Sequence, residues 1–98
     1  MIICRSPRMQ LGVMQLARTK KISKQNAYRY IQLGLNVAYY RKLAGFTQEE
    51  LAETVDISRA YMATIEAPNM VQSISLEMLF QLADALSIEP YQLLEFRG

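Results

Sequence analysis

The sequence contains no histidine, and its single cysteine is Cys4. Without histidine the chain lacks the side chain most used for acid–base chemistry near neutral pH, and a common zinc ligand. A lone cysteine excludes a disulfide within the chain and fits a reducing compartment. Glycine is scarce too: the four in 98 residues are scattered, and neither GxxxxGK[ST] nor GxGxxG occurs. A phosphate-cradling loop of either kind is therefore not expected. No apolar run approaches the roughly eighteen residues that cross a bilayer. The opening MIICRSPRMQLG makes a poor secretion signal, because Arg5, Pro7 and Arg8 interrupt it. Asn-Gly and Asp-Gly, the common tight-hairpin dipeptides, are missing, and no alternating apolar pattern marks a strand. Glu49 and Glu50 are adjacent residues of one expected helix and face different directions, so they form no converging acid–base pair. The expectation is a cytoplasmic, all-α, non-enzymatic chain with no membrane segment, no cofactor and no metal.

What is present is a composition 51% hydrophobic and 20% charged, that of one globular domain. The formal net charge of +2 conceals two opposite segments. Residues 1–30 hold seven basic residues (Arg5, Arg8, Arg18, Lys20, Lys21, Lys24 and Arg29) and no acid. Residues 31–98 hold four basic and nine acidic residues. The division read from this is a basic N-terminal arm, 1–30, before an acidic helical body, 31–98. A basic arm points to a polyanion partner, a solubilising leader being the plainer alternative.

In the body, helix-start signals repeat. A polar or acidic cap follows an apolar residue, and a second apolar residue lies five positions after the first, the spacing of a hydrophobic staple. Phe46-Thr47 leads to Leu51, Ile57-Ser58 to Met62, Ile74-Ser75 to Leu79, and Ile88-Glu89 to Leu93 with Pro90 at the first helical position. Thr47 has Glu50 three residues on, a capping box. Five helices are expected, over 31–44, 48–55, 59–66, 76–86 and 90–96, with a weaker one over Met9–Lys20. In the first, Ile31, Leu35, Ala38 and Tyr39, with Val37 and Tyr40 beside them, mark a helix that ends near Ala44-Gly45, where Gly45 supplies a left-handed stop. In the fourth, Leu76, Leu79, Phe80, Ala83 and Leu86 follow helical spacing.

Only Asp56, Ile57 and Ser58 separate the second and third helices. So short a link forces a sharp crossing, with Ala52 at the close approach and Asp56 in the left-handed conformation. Leu51, Val55, Ile57, Met62 and Ile65 turn inward, leaving Ser58, Arg59, Ala60, Ala63 and Thr64 outward. That small, polar face fits a groove about 12 Å wide, the width of the DNA major groove.

The stretch TQEELAETVDISRAYMATIE resembles the helix-turn-helix of the Xre/lambda-repressor-like DNA-binding proteins, here at 48–66, and the resemblance runs from about Leu33 to Leu94. Its carriers are Thr47-Gln48, Leu51-Ala52, Ser58 and Ile65-Glu66. The resemblance implies a compact five-helix domain and sequence-specific binding of double-stranded DNA by a transcriptional regulator of prokaryotic or phage type. It implies that Gln48 anchors a phosphate and reaches toward a base, and that Ser58 holds a phosphate at its helix end. Arg59, Ala60 and Thr64 match base-reading positions. Arg59 can grip guanine O6 and N7, Ala60 offers only apolar contact, and Thr64 can do either. Tyr61 reads equally as a phosphate contact or as partial core. Arg41 and Glu66 match a structural ion pair, two solvated charges being the alternative.

Asp56 stands where the family usually has Gly, and Glu66-Ala67-Pro68-Asn69 opens a loop about two residues longer than its norm. Asn69 reads as a turn residue or a phosphate contact, and Met70 and Val71 as packed or as part of a dimer contact. The acidic body offers its reading face little positive charge beyond Arg59, Arg41 and Lys42, so either its acids face away from DNA, or the arm supplies the missing charge, or binding needs a dimer. The expected partners are double-stranded DNA and a second copy of the chain. The alternative is a protein-interaction module such as the antitoxin of a toxin–antitoxin pair, with a small protein partner. Since Gly98 closely follows the fifth helix, regulation is expected through dimerisation, a partner or the arm.

Overall fold

A computed structural model describes residues 21–96, and the weak helix expected over Met9–Lys20 lies outside them. Five α-helices and no strands make up this region: α1 (Lys24–Ala44), α2 (Gln48–Thr54), α3 (Arg59–Glu66), α4 (Leu76–Leu86) and α5 (Pro90–Leu93). The long α1 is the hub and packs against α3, α4 and α5, while α2 packs on α3 and α4 on α5. The buried core is Leu33 and Val37 of α1, Leu51, Ala52 and Val55, Met62 and Ile65 of α3, Leu79, Leu82, Ala83 and Leu86 of α4, and Leu93 of α5.

One three-residue connector is used three times. A residue in the left-handed conformation ends a helix, an apolar residue follows, and a cap starts the next helix. Gly45-Phe46-Thr47 joins α1 to α2, Asp56-Ile57-Ser58 joins α2 to α3, and Ser87-Ile88-Glu89 joins α4 to α5. The three leading residues have φ of 85°, 61° and 57°. At each, the following N–H returns to a carbonyl five residues back: Phe46 to Arg41 (3.1 Å), Ile57 to Ala52 (2.9 Å) and Ile88 to Ala83 (3.0 Å). This closes the orphan carbonyls of each helix end. Phe46, Ile57 and Ile88 pack against the core, so each serves one helix end and the staple of the next helix at once. Glycine fills the left-handed position only at 45. Asp56 and Ser87 carry a side chain there at a modest steric cost.

The caps follow the expected pattern. Thr47 Oγ1 accepts the Glu50 N–H (3.0 Å) and Glu50 Oε1 accepts the Thr47 N–H (2.9 Å). Ser58 Oγ accepts from Tyr61 N (3.0 Å) and Ser75 Oγ from Met78 N (3.1 Å). At α5, Gln92 Oε1 accepts the Glu89 N–H (2.9 Å). The connection from α3 to α4 differs. Ala67 is extended, with ψ 127°, as a residue before proline must usually be, and Pro68 ends the helix.

Several expectations about helix ends and faces need correction. Helix α1 starts at Lys24, not 31, because Ser23 caps it by accepting the Asn26 N–H at 3.1 Å. Its inward face carries Leu33, Gly34, Val37 and Arg41, whereas Leu35 and Tyr39 are exposed. In α4 the inward face is Leu79, Leu82, Ala83 and Leu86, and Leu76 is 67% exposed and Phe80 46%. Both helices carry apolar residues around much of their circumference, so more than one helical stripe exists, and the neighbours select which is buried. Finally, α2 ends at Thr54 with Val55 as its cap, and α5 stops at Leu93. Met70 and Val71 are both exposed.

Candidate nucleic-acid interface

Helix α3 owes its position to contacts near its C-terminal end. Gly34 of α1 lies against the Ile65 backbone, and a Cβ built on Gly34 would overlap the Ile65 carbonyl oxygen. The two helices thus approach as closely as backbones can. Beside this contact is the Arg41–Glu66 ion pair. Arg41 Nε donates to Glu66 Oε2 (2.7 Å) and Nη2 to Oε1 (3.0 Å), a two-pronged geometry suited to guanidinium and carboxylate. Arg41 Nη1 donates to the Phe46 carbonyl (2.8 Å), and Gln48 Nε2 donates to Glu66 Oε1 (2.9 Å). The side chains of Arg41 and Glu66 are only 10% and 5% exposed. No buried side-chain polar atom among the described residues lacks a partner. Such a satisfied network contributes orientation more than net stability.

The opposite face of α3 looks outward. Ser58, Arg59 and Ala60 are exposed, Ala63 and Thr64 half-buried at its edge, and Met62, Ile65 and Glu66 buried beneath. Ser58 Oγ is occupied as an acceptor by the Tyr61 N–H, which leaves its own O–H to donate outward. The first N–H groups of α3 have no intrahelical acceptor and carry the positive end of the helix dipole. Thr64 Oγ1 donates to the Tyr61 carbonyl (2.7 Å), so outward it offers its methyl group and an acceptor lone pair. Tyr61 is half-buried and packs against the core. Asn69 is exposed in the turn after Pro68. Gln48 is half-buried at the start of α2.

Ser58, Arg59, Ala60 and Thr64 therefore share one side of α3, with Ala63 among them. Arg41 lies behind that helix, paired with Glu66 at its end, and Gln48 bonds to the same carboxylate. Two contributors do not stand out in the sequence. Gly34 gives a signal only as a glycine inside a helical pattern, which usually marks close packing. Asn36 is buried in α1, and its Nδ2 donates to the carbonyls of Leu93 (2.9 Å) and Glu95 (3.0 Å), which holds the end of α5. Its polarity in an otherwise apolar stretch is the available clue. Among the described residues there is no cluster of acids or thiols arranged for a metal, and no helix long and apolar enough to cross a membrane.

The helix-turn-helix family model matches residues 37–93, more than half of the chain. No curated protein sequence matches. Among solved structures, the restriction-modification controller protein C.AhdI from Aeromonas hydrophila is 31% identical, with a TM-score of 0.60 over 65% of this chain and 94% of that one. SinR, described as the master regulator for biofilm formation and solved with DNA, is 28% identical, with a TM-score of 0.59 over 64% of this chain and 98% of its own. A hypothetical transcription factor, NHTF from Neisseria, is 28% identical, with a TM-score of 0.62 over 79% of this chain and 85% of its own. The connector geometry, the outward face of α3 and these matches agree: the chain belongs to the Xre/lambda-repressor-like helix-turn-helix family of DNA-binding regulators.

Proposed function

We propose that this protein is a cytoplasmic, non-enzymatic transcriptional regulator that lays α3 in the major groove of operator DNA as a homodimer. The observation that carries the reading is the division of α3 into a buried side, pinned by Gly34 and Glu66, and an outward side of Ser58, Arg59, Ala60, Ala63 and Thr64. Small side chains let the helix backbone come close to base edges. Arg59 supplies a bidentate donor for guanine O6 and N7. Ala60 and the Thr64 methyl supply apolar contact for a thymine methyl. The Ser58 hydroxyl and the first N–H groups of α3 grip a phosphate. The second Nε2 hydrogen of Gln48 and the amide of Asn69 reach phosphates on either side. Tyr61 serves mainly as packing.

A C2 dimer would present two copies of α3 to half-sites about one helical turn apart. Exposed Met70, Val71, Leu76 and Phe80 offer apolar surface for a second copy. The antitoxin-type alternative draws no support from these comparisons.

The test is selection of bound sequences from a random duplex library, repeated with Arg59→Ala. The expected outcome is a site with two related halves, with Arg59→Ala costing about 1–3 kcal/mol and relaxing one base pair in each half. No enriched sequence at low salt would overturn the reading.

A further inference from the structure

Three helices meet at one carboxylate. Glu66 closes α3 and receives Arg41 from the last turn of α1 and Gln48 from the first turn of α2. Gln48 stands apart from the other two because it is half-buried where Arg41 and Glu66 are buried, so one side of its amide is open to solvent. Its amide nitrogen gives one hydrogen to Glu66 Oε1 at 2.9 Å and has a second to give. The position in the chain matters as well. The Asp56-Ile57-Ser58 corner joins the end of α2 to the start of α3, so the start of α2 and the end of α3 are the two ends it leaves unjoined.

We propose that Gln48 is a positioning residue for sequence discrimination: its bond to Glu66 ties the far end of α3, which Gly34 and Arg41 pin to α1, to the start of α2 as well, so that the angle between the two helices is fixed when α3 meets DNA. The proposal rests on α3 being the reading helix. The hydrogen bond also fixes the amide plane, and so the direction in which the second hydrogen points. One side chain then links a phosphate contact on α2 to the angle at which Arg59, Ala60 and Thr64 are presented. A residue that only touched phosphate would strengthen binding to every sequence alike. A residue that sets the angle of α3 changes the preference among sequences.

The experiment uses the full chain, with a duplex carrying the selected site and a random duplex of equal length, each titrated over a range of salt. Gln48→Met keeps the length of the side chain and removes both amide hydrogens. It is expected to weaken binding to the selected site about tenfold more than binding to the random duplex, the scale of one hydrogen bond. Gln48→Lys keeps a donor for Glu66 and is expected to restore most of that preference. Without DNA, Gln48→Met is expected to speed amide hydrogen exchange in the last turn of α3, residues 63–66. Equal weakening on both duplexes, or no weakening, would overturn the proposal, as would Gln48→Lys behaving like Gln48→Met or unchanged exchange at 63–66. Should the unmutated chain fail to prefer any duplex, the DNA-reading role itself fails, and the exchange result still decides whether Gln48 holds α3.

Discussion

Gly34→Ala tests the packing argument most directly, because two known effects oppose each other there. In an exposed helix, replacing glycine with alanine stabilises by about 1 kcal/mol through backbone entropy. At position 34 the added Cβ would overlap the Ile65 carbonyl oxygen and lie 3.0 Å from its carbon and 3.5 Å from the Glu66 Cα. All three obstructing atoms are backbone, so no side chain can rotate away. Helix α3 must move off α1, and overpacking of this kind costs about 1–3 kcal/mol. That shift also stretches the Arg41–Glu66 bonds, so the clash outweighs the propensity gain. Because the overlap is with backbone, the cost lies at the upper end of that range, and the expected net loss is about 2 kcal/mol, a fall in melting temperature of roughly 8–16 °C for a domain of this size. Gly45→Ala is the control. Nothing lies within 4 Å of its Cβ, and its cost comes from φ 85° alone. Thermal unfolding followed by circular dichroism reads the stability, and binding measured well below both midpoints separates the two variants. Gly34→Ala should lose DNA affinity that Gly45→Ala retains. A Gly34→Ala protein that melts at or above the parent temperature would refute the close-approach argument.

Other outcomes follow from the same geometry. Arg41→Ala leaves the Glu66 carboxylate buried without its cation and should cost about 3–5 kcal/mol in chemical denaturation, whereas replacing both residues with apolar ones of similar size should cost much less. Equal losses in the single and double variants would contradict this. Asp56→Gly and Ser87→Gly relieve a left-handed side-chain penalty, and each should raise stability by roughly 0.5–1 kcal/mol in the same assay, a fall in stability counting against the connector geometry. Asn36→Ala removes the donor to two carbonyls at the end of α5 and should cost about 1–3 kcal/mol, seen as faster hydrogen exchange in residues 91–94. Removing residues 1–22 spares the Ser23 cap and takes away five positive side chains. If these touch DNA, the slope of log affinity against log salt should flatten by about 0.9 for each phosphate they neutralise; an identical slope would exclude the arm from the interface.

Local signals in the sequence are sufficient for much of the scaffold. The staple pairs, the Thr47–Glu50 box, Pro90 and the short Asp56-Ile57-Ser58 link each depend on residues within a few positions of one another, and the helix starts at 48, 59, 76 and 90 follow from them. The start of α1 is harder to read because Ser23 lies among lysines and the residue at its staple position is only the small Ala27, where the other starts have Leu or Met. Which face of α1 and α4 turns inward is not a local matter. Leu35, Tyr39, Leu76 and Phe80 satisfy helical periodicity as well as the residues that are buried, and only packing of α1 against α3, α4 and α5 separates the two sets.

The outward residues of α3 can be named from spacing, since the corner and the inward positions leave them no other side. The support behind them cannot. Gly34 meets Ile65 across thirty-one positions, and Asn36 meets Leu93 across fifty-seven. Gln48 reaches Glu66 across eighteen, at the ends of two helices that cross. Short-range steric and capping preferences decide where a helix begins and ends, so they are written along the chain. Contact between distant segments depends on how several helices settle together, and that is decided by excluded volume and by the need to pair every buried polar atom once the chain has closed on itself.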